Sequence, residues 1–362
     1  MDVSATLRRS FVCVALFALV LSTSTSAGVA KKPRVIMDVH AYAAAGSRVV
    51  FEGDVGPKNS GYYVPGSEGL WSEKFGSHKL KRIASPVSRP SGFCANDGAW
   101  EIMSVALGPK GTVACLAIGG GISSSSVDLY VVLGNGTKKH LVSRGYDSGA
   151  ENGSGATDPG IVPALFGDGH FLGYLQVSGT VLKLFQITPS GKARYVADLG
   201  GVSSCFGTST AFTCGGAGVD SGNIVIQEAG DSNVHVFTTA GKRVATFSAD
   251  PSNKGGSVAI RKDRIVVLTA EKQLDVYTLQ GAVIHSYPAH ARMGPISTYY
   301  GYVAYIGAPR TTVRVLRLST GKDRVIVRHL SNPSISLQAP GLAVSSSKML
   351  YVPMKTLRAK LG

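Results

Sequence analysis

One phrase recurs along this chain: an apolar run, a tight turn that ends in Gly and usually a base, and then a second β-branched run. It stands at Gly136 (Val-Leu-Gly-Asn-Gly), Gly191 (Ile-Thr-Pro-Ser-Gly-Lys), Gly241 (Phe-Thr-Thr-Ala-Gly-Lys), Gly281 (Tyr-Thr-Leu-Gln-Gly) and Gly321 (Arg-Leu-Ser-Thr-Gly-Lys), with a degenerate copy, Lys-Phe-Gly-Ser, at Gly76. Successive copies lie 60, 55, 50, 40 and 40 residues apart. A period of this size made of short strands predicts a repeat array, because one such unit cannot bury its faces alone and must be covered by its neighbours.

The clearest copy, residues 256 to 287, divides into four strands: Ser257 to Ile260, Arg264 to Leu268, Leu274 to Leu279 and Val283 to Tyr287. Each is rich in Val, Ile, Leu or Tyr, and Lys-Asp, Glu-Lys-Gln and Gln-Gly break the chain between them, which is the signal for strands joined by turns. Residues 295 to 329 repeat the pattern, and earlier copies fall at about 209 to 248, 160 to 198, 99 to 143 and 38 to 85. After Pro333 three further runs follow, Ile335 to Gln338, Leu342 to Ser345 and Leu350 to Met354, one strand short of a unit. The reading is an all-β, closed β-propeller of seven four-stranded blades, with six or eight as the alternatives. Its last blade is expected to be completed by the N-terminal strand Arg34 to Met37. Closure of this kind removes exposed sheet edges. A pair of stacked sandwiches would give strands at similar spacing but no reason for the Gly turn to recur.

Phrases such as Leu274-Asp275-Val276-Tyr277-Thr278-Leu279-Gln280-Gly281 and Val313-Arg314-Val315-Leu316-Arg317-Leu318-Ser319-Thr320-Gly321-Lys322 resemble the outer hairpins of bacterial quinoprotein-like and tryptophan-aspartate-like repeat propellers. The likeness covers residues 99 to 330 and fades over residues 33 to 98. It implies a superfold and no particular activity.

The N-terminus reads as an export signal. Arg8 and Arg9 form a basic region, Phe11 to Leu21 an apolar one, and Thr25-Ser26-Ala27 a small-residue cleavage site, so residues 1–27 are expected to leave and residues 28–362 to form the propeller domain. The apolar run is too short to span a bilayer, which takes about 20 residues, and no later segment is apolar for long enough. The expected destination is outside the cytoplasm, secreted or periplasmic, at the cell envelope. Removal of Asp2, Arg8 and Arg9 takes the net charge from +15 to +14. Such a charge favours anionic polymers and surfaces. Sequence-specific nucleic-acid binding is not expected, because no groove-reading helix or aromatic stacking phrase is present.

Four cysteines remain after cleavage, Cys94, Cys115, Cys205 and Cys214. An even count in an exported chain reads as disulfides with three connectivities open; the blade register favours Cys94–Cys115 and Cys205–Cys214. Zinc, the rival reading, wants close Cys or His pairs that are absent here.

The enzymatic propellers leave signatures that this chain lacks. Trp71 and Trp100 are its only tryptophans, against the tryptophan-rich docking phrases of quinone enzymes, and neither the Ser-x-Asp-x-Gly-x-x-Trp box nor a Gly-x-Ser-x-Gly elbow occurs. No cofactor is expected. His285 and His290 are the one near pair of histidines, with no third ligand spaced to join them. The oxygen-rich stretch Asp147 to Asp158 lacks the alternating order of an efficient calcium loop.

Loops and charges remain. The long connections, Asp54 to Gly69, Pro86 to Gly98, Gly119 to Ser126, Gly145 to Gly160 and Gly200 to Thr208, should all emerge on one face, and long loops on a rigid scaffold are where binding usually resides. Lys58, Tyr62, Tyr63, Arg89, Arg292 and Arg310 are the candidate ligand contacts there. Lys79, Lys138, Lys139, Lys192, Lys242, Arg243 and Lys322 cluster after the recurring Gly and should form a basic belt on the opposite face and rim. The expected function is a non-enzymatic binding module for an unidentified protein or an anionic envelope polymer. The alternative is a hydrolase or lyase acting on an anionic glycan, favoured if Asp97 or Asp147 joins an Arg and a Tyr at the mouth of the central channel.

Overall fold

The second strand of each unit is the most apolar, and its burial explains the architecture. Val49, Val50 and Phe51, or Ile265 to Leu268, are buried on both faces of the sheet, which requires another sheet on either side. The computed structural model describes residues 35–56, 68–77, 79–84, 100–121, 124–146, 161–178, 181–201, 216–227, 233–249, 257–269, 271–308, 311–331, 333–346 and 349–362. These form seven antiparallel sheets in which strands adjacent in sequence are adjacent in space.

Blade 1 is β1 (Val35–Ala45), β2 (Arg48–Gly56), β3 (Glu68–Lys74) and β4 (Lys81–Ala84), and blade 2 is β5 (Trp100–Leu107), β6 (Val113–Gly121), β7 (Ser124–Val132) and β8 (Lys138–Tyr146). Blade 3 is β9 (Ile161–Gly167), β10 (Leu172–Ser178), β11 (Val181–Ile187) and β12 (Ala193–Gly201). Blade 4 is β13 (Gly216–Asp220), β14 (Asn223–Gln227), β15 (Asn233–Thr238) and β16 (Arg243–Ser248). Blade 5 is β17 (Ser257–Arg261), β18 (Arg264–Leu268), β19 (Gln273–Thr278) and β20 (Val283–Pro288), and blade 6 is β21 (Ala291–Tyr299), β22 (Tyr302–Gly307), β23 (Thr312–Arg317) and β24 (Lys322–Val327). Blade 7 contributes β25 (Ser334–Gln338), β26 (Gly341–Ser345) and β27 (Met349–Pro353), followed by helix α1 (Met354–Leu361). The first strands of successive blades meet around the axis, from β1 to β25 and back to β1, so the protein is a seven-bladed β-propeller.

Polarity grades outward within a blade. In blade 5 the second strand is buried almost throughout, the third alternates, and the outer strand is mostly exposed. Each interface between blades is an apolar cluster, such as Val225, Val236, Val258, Ile265 and Tyr277 between blades 4 and 5. In two blades a polar residue of the third strand is met by the outer strand: Asp128 accepts from His140 at 2.6 Å in blade 2, and Arg314 donates to Asp323 at 2.9 Å in blade 6.

The recurring Gly has two physical causes. Gly136, Gly191, Gly241, Gly281 and Gly321 all turn from the third strand to the fourth with φ between 66° and 88°, the left-handed region that a Cβ disfavours. Some of them also press on the preceding blade: a Cβ on Gly281 would lie 2.5 Å from the Phe247 ring, and one on Gly241 2.2 Å from Ala197 Cβ. A Thr three residues earlier completes the turn in blades 3, 4 and 5, where Thr188, Thr238 and Thr278 each accept the N–H of the residue after Gly at 3.1 Å.

The ring closes differently from expectation. Val35 to Met37, expected as the outer strand of blade 7, begins the innermost strand of blade 1, with Val35 opposite Gly56 and Ile36 opposite Val55. Arg34 lies outside the described residues. Among the described residues the seam between blades 7 and 1 is made by side chains: Val49, Phe51 and Trp71 pack on Ala343 and Met349, and the rings of Phe75 and Tyr351 meet edge to face at 4.8 Å. Helix α1, absent from the sequence reading, buries Met354, Leu357 and Leu361 against Val313, Val315 and Leu330.

Candidate functional site

In each blade the turns from first to second and from third to fourth strand lie at one end, and the remaining connections leave from the other. The expected separation of short turns from long connections follows from this topology. One connection is shorter than expected: β6 runs to Gly121 and β7 begins at Ser124, so Gly119 to Ser126 is mostly hairpin ladder. Of the candidate contacts, Lys58, Tyr62, Tyr63, Arg89 and Arg310 lie outside the described residues; Arg292 lies in β21, and its side chain is outside them too. Cys94, Cys205 and Cys214 are likewise outside, while Cys115 is fully buried in β6 beside Val105 and Tyr130. Asp97 and Asp147 are also outside the described residues. The described residues contain no cluster of three metal-ligating side chains. His285 is exposed on β20 with its ring 4.2 Å from that of Tyr287.

The site that the described residues build is at the short-turn end, over the axis. The first strands enclose a channel cavity of about 280 Å³, walled by small residues such as Ala43, Ala217, Ser297 and Ser336 together with larger apolar ones such as Leu165, Ile260 and Ile296. Over it, among the turns between first and second strands, lies a mouth of about 580 Å³. That is within the range of pockets that take small molecules, roughly 300–1,000 Å³.

Asp220, Arg261 and Lys262, and Tyr299 and Tyr300 stand at equivalent turns of blades 4, 5 and 6, and the ring brings them together. Asp220 is nearly buried and accepts from Arg261 Nη1 at 2.5 Å, the Lys262 backbone N–H at 2.7 Å and Ser221 Oγ at 2.7 Å. The Arg261 guanidinium lies 4.5 Å from the centre of the Tyr299 ring and 5.0 Å from that of Tyr300, and Lys262 Nζ lies 4.6 Å from the Tyr300 ring. These are cation–π distances. Hydrogen bonds donated by Lys262 and Arg261 favour the phenolate and hold the Tyr300 hydroxyl below its ordinary pKa.

One reading of this cluster is a clasp tying three blades together. Two observations exceed what a clasp needs. Tyr300 has φ +36° in a turn that continues into Gly301 at φ +80°, and a bulky residue there is a backbone outlier of the kind concentrated at functional sites. Its side chain is 51 % exposed all the same, so its position is not explained by burial. On the facing wall, Asp168 Oδ1 accepts the backbone N–H groups of His170 and Phe171 at 2.8 and 2.7 Å, which fixes its carboxylate in a tight turn, and His170 is exposed beside it.

The expected basic belt surrounds this mouth, because the turns after the recurring Gly share its end of the ring. Part of it is structural. Lys139 Nζ donates to Ser190 O at 2.6 Å and Arg243 to Leu199 O at 2.9 Å, each crossing to a neighbouring blade. Lys79, Lys192 and Lys242 are exposed on this side. Sequence reading missed the mouth because its members are about one repeat apart. The signal lay in aligning the turns Asp220-Ser221-Gly222, Arg261-Lys262-Asp263 and Tyr299-Tyr300-Gly301 as one position of the repeat.

The fold defines the protein as a seven-bladed β-propeller with a polar, aromatic channel mouth. No known protein family and no curated protein matches the sequence. Among solved structures the chain is similar to a streptogramin B lyase (13 % identity, 87 % of this chain and 93 % of that one, TM-score 0.53). It is also similar to virginiamycin B lyase from Staphylococcus aureus (11 % identity, 87 % and 96 % covered, TM-score 0.52). A chain of a mitotic checkpoint complex gives 14 % identity, 89 % and 92 % covered and TM-score 0.54. At these identities the likeness establishes the fold alone. The neighbours include both a lyase and a component of a protein assembly.

Proposed function

We propose that this chain is an exported, non-enzymatic propeller that binds an anionic ligand at the cell envelope, through the channel mouth at the short-turn end. The observation that carries the reading is the Asp220–Arg261–Lys262–Tyr299–Tyr300 cluster, strained at Tyr300 and exposed there, set among the exposed lysines of the same face. The basic surround concentrates an anion near the mouth, and the fixed donors and acceptors select it. Export with residues 1–27 removed, and the disulfides Cys94–Cys115 and Cys205–Cys214, belong to the proposal. The long-loop face, with Lys58, Tyr62, Tyr63, Arg89, Arg292 and Arg310, is left for a larger partner such as a protein. Among the described residues, no helix is long and apolar enough to cross a membrane.

A thermal-shift screen of the mature, oxidised protein against envelope glycans, teichoic-type polyanions, heparin and divalent metals, at low and moderate salt, tests the reading. A ligand present at about 100 times its Kd adds roughly 2.7 kcal/mol to the folded state. The expected result is a rise in Tm of a few degrees that survives moderate salt and is lost in a Lys262→Asn, Tyr300→Ala variant. A shift with every polyanion that vanishes with salt, or one indifferent to those substitutions, sinks the mouth as the site.

The second reading is a lyase or hydrolase acting on an anionic glycan. It is favoured by one specific observation: a carboxylate, an arginine and tyrosines meet at the channel mouth of the short-turn end, in Asp220, Arg261, Tyr299 and Tyr300. Chain shortening of a bound glycan would establish it.

A further inference from the structure

Resting on the mouth as the binding site, we infer that its ligand is a sugar acid, a uronate unit bound with its carboxylate toward Arg261 and Lys262 and its hydroxyls toward Asp168, His170 and Gln338. The argument begins with the mixed sign of the lining. Arg261 lines one side, with Lys262 next to it over the Tyr300 ring, Asp168 with His170 and Gln338 line the others, and Asp220 is paired with Arg261. A sulfated or phosphorylated polymer brings several charges, which Asp168 would repel, and leaves fewer free hydroxyls to exchange hydrogen bonds with Gln338. A neutral sugar would bring no charge to Lys262, whereas Arg261 is already paired with Asp220. A sugar acid supplies one carboxylate for the cations and several hydroxyls that donate to the Asp168 carboxylate and exchange hydrogen bonds with Gln338 and His170.

The aromatic groups narrow the ligand further. The Tyr300 ring already has Arg261 and Lys262 over it at 5.0 and 4.6 Å, and Tyr299 meets it edge to face at 4.6 Å. A nucleobase stacking there would compete with both cations for the ring. The phenol serves as a polar arm held by the two cations, so its hydroxyl and their N–H groups form one donor patch matched to a carboxylate. The helix N-terminus that commonly cradles phosphate is missing from the mouth among the described residues; their one α-helix, α1, packs on blades 6 and 7.

The test is isothermal titration of the mature protein with trigalacturonate, maltotriose and dextran sulfate at moderate salt, repeated for Lys262→Asn and Asp168→Asn. Asparagine suits the left-handed backbone at position 262, where φ is +55°, and at position 168 it keeps the acceptor of the turn while removing its charge. The expected result is binding of trigalacturonate and not of maltotriose, weakened about tenfold or more by either substitution. If dextran sulfate binds in a Lys262-dependent way, more tightly in Asp168→Asn, and trigalacturonate does not bind, the sugar-acid inference falls and the mouth remains an anion site. If no probe responds to Lys262→Asn, both readings fall.

Discussion

Replacing Glu73 by Gln should stabilise the ring at neutral and alkaline pH and leave it unchanged in acid. Glu73 lies on β3 on the same sheet face as Trp71, which packs against blade 7, so its carboxyl belongs to the seam that closes the propeller. It is 4 % exposed, and its Oε1 has no hydrogen-bond partner among the described residues. Burial pushes its pKa up from 4.5 to about 7. The folded state therefore holds this proton more tightly than the unfolded chain. Stability from this group is complete below about pH 4.5, declines as pH rises through the window up to about 7, and is level above it. Each pKa unit is worth about 1.4 kcal/mol, so the window spans about 3 kcal/mol. We take about 2 kcal/mol as the expected effect, since water drawn toward the ionising carboxylate offsets part of the desolvation. Denaturation midpoints of the wild type and Glu73→Gln, measured from pH 4 to pH 8.5, should coincide at the acid end and diverge above pH 5, with the variant the more stable by a few degrees in Tm at pH 8. Curves that run parallel across the whole range would refute the reasoning, because the carboxyl would then not be carrying its proton into the folded state.

The recurring Gly should show two separable costs. Gly136→Ala meets open space and pays only for a side chain at φ +88°, about 1 kcal/mol, whereas Gly281→Ala at the same φ also drives a Cβ into the Phe247 ring and should cost about 3 kcal/mol; equal losses in denaturant titrations would remove close approach as a cause. Truncation after Pro353 strips Met354, Leu357 and Leu361 from the faces of blades 6 and 7 and should destabilise the protein by several kcal/mol, read as a lower denaturation midpoint; an unchanged midpoint would make α1 an appendage. In an alkaline spectrophotometric titration Tyr300 should ionise ahead of Tyr42, Tyr130 and Tyr305, whose hydroxyls burial holds high, so Tyr300→Phe should remove the earliest phenolate phase; its persistence would mean that Lys262 and Arg261 do not hold the hydroxyl.

What was legible in the sequence was whatever one residue type had to satisfy alone. The left-handed turn at Gly191, Gly241 or Gly281 admits few substitutes, so it repeats visibly and marks the repeat. The doubly buried second strands read as unbroken apolar runs for the same reason. Closure was misread because Val35 to Ala45 has no Gly, Pro or turn between Met37 and His40. An uninterrupted extended run is one strand, and here register shifts at Ile36/Asp38 and Val39/Ala41 absorb its length within blade 1. Helix α1 did leave a signal: Met354, Leu357 and Leu361 fall on one helical face between Pro353 and Gly362, a start-and-stop pattern hidden by the habit of counting strands. The channel mouth obeys another logic. Asp220, Arg261 and Tyr300 differ in type because they do complementary jobs, so similarity between repeats cannot reveal them. In a propeller the residues that make a site sit at the same repeat position and are unlike one another. The turns to inspect are therefore those where an otherwise regular array places Ser-Gly, Lys-Asp and Tyr-Gly in the same slot, and where a Tyr takes a backbone conformation that Gly would adopt without strain.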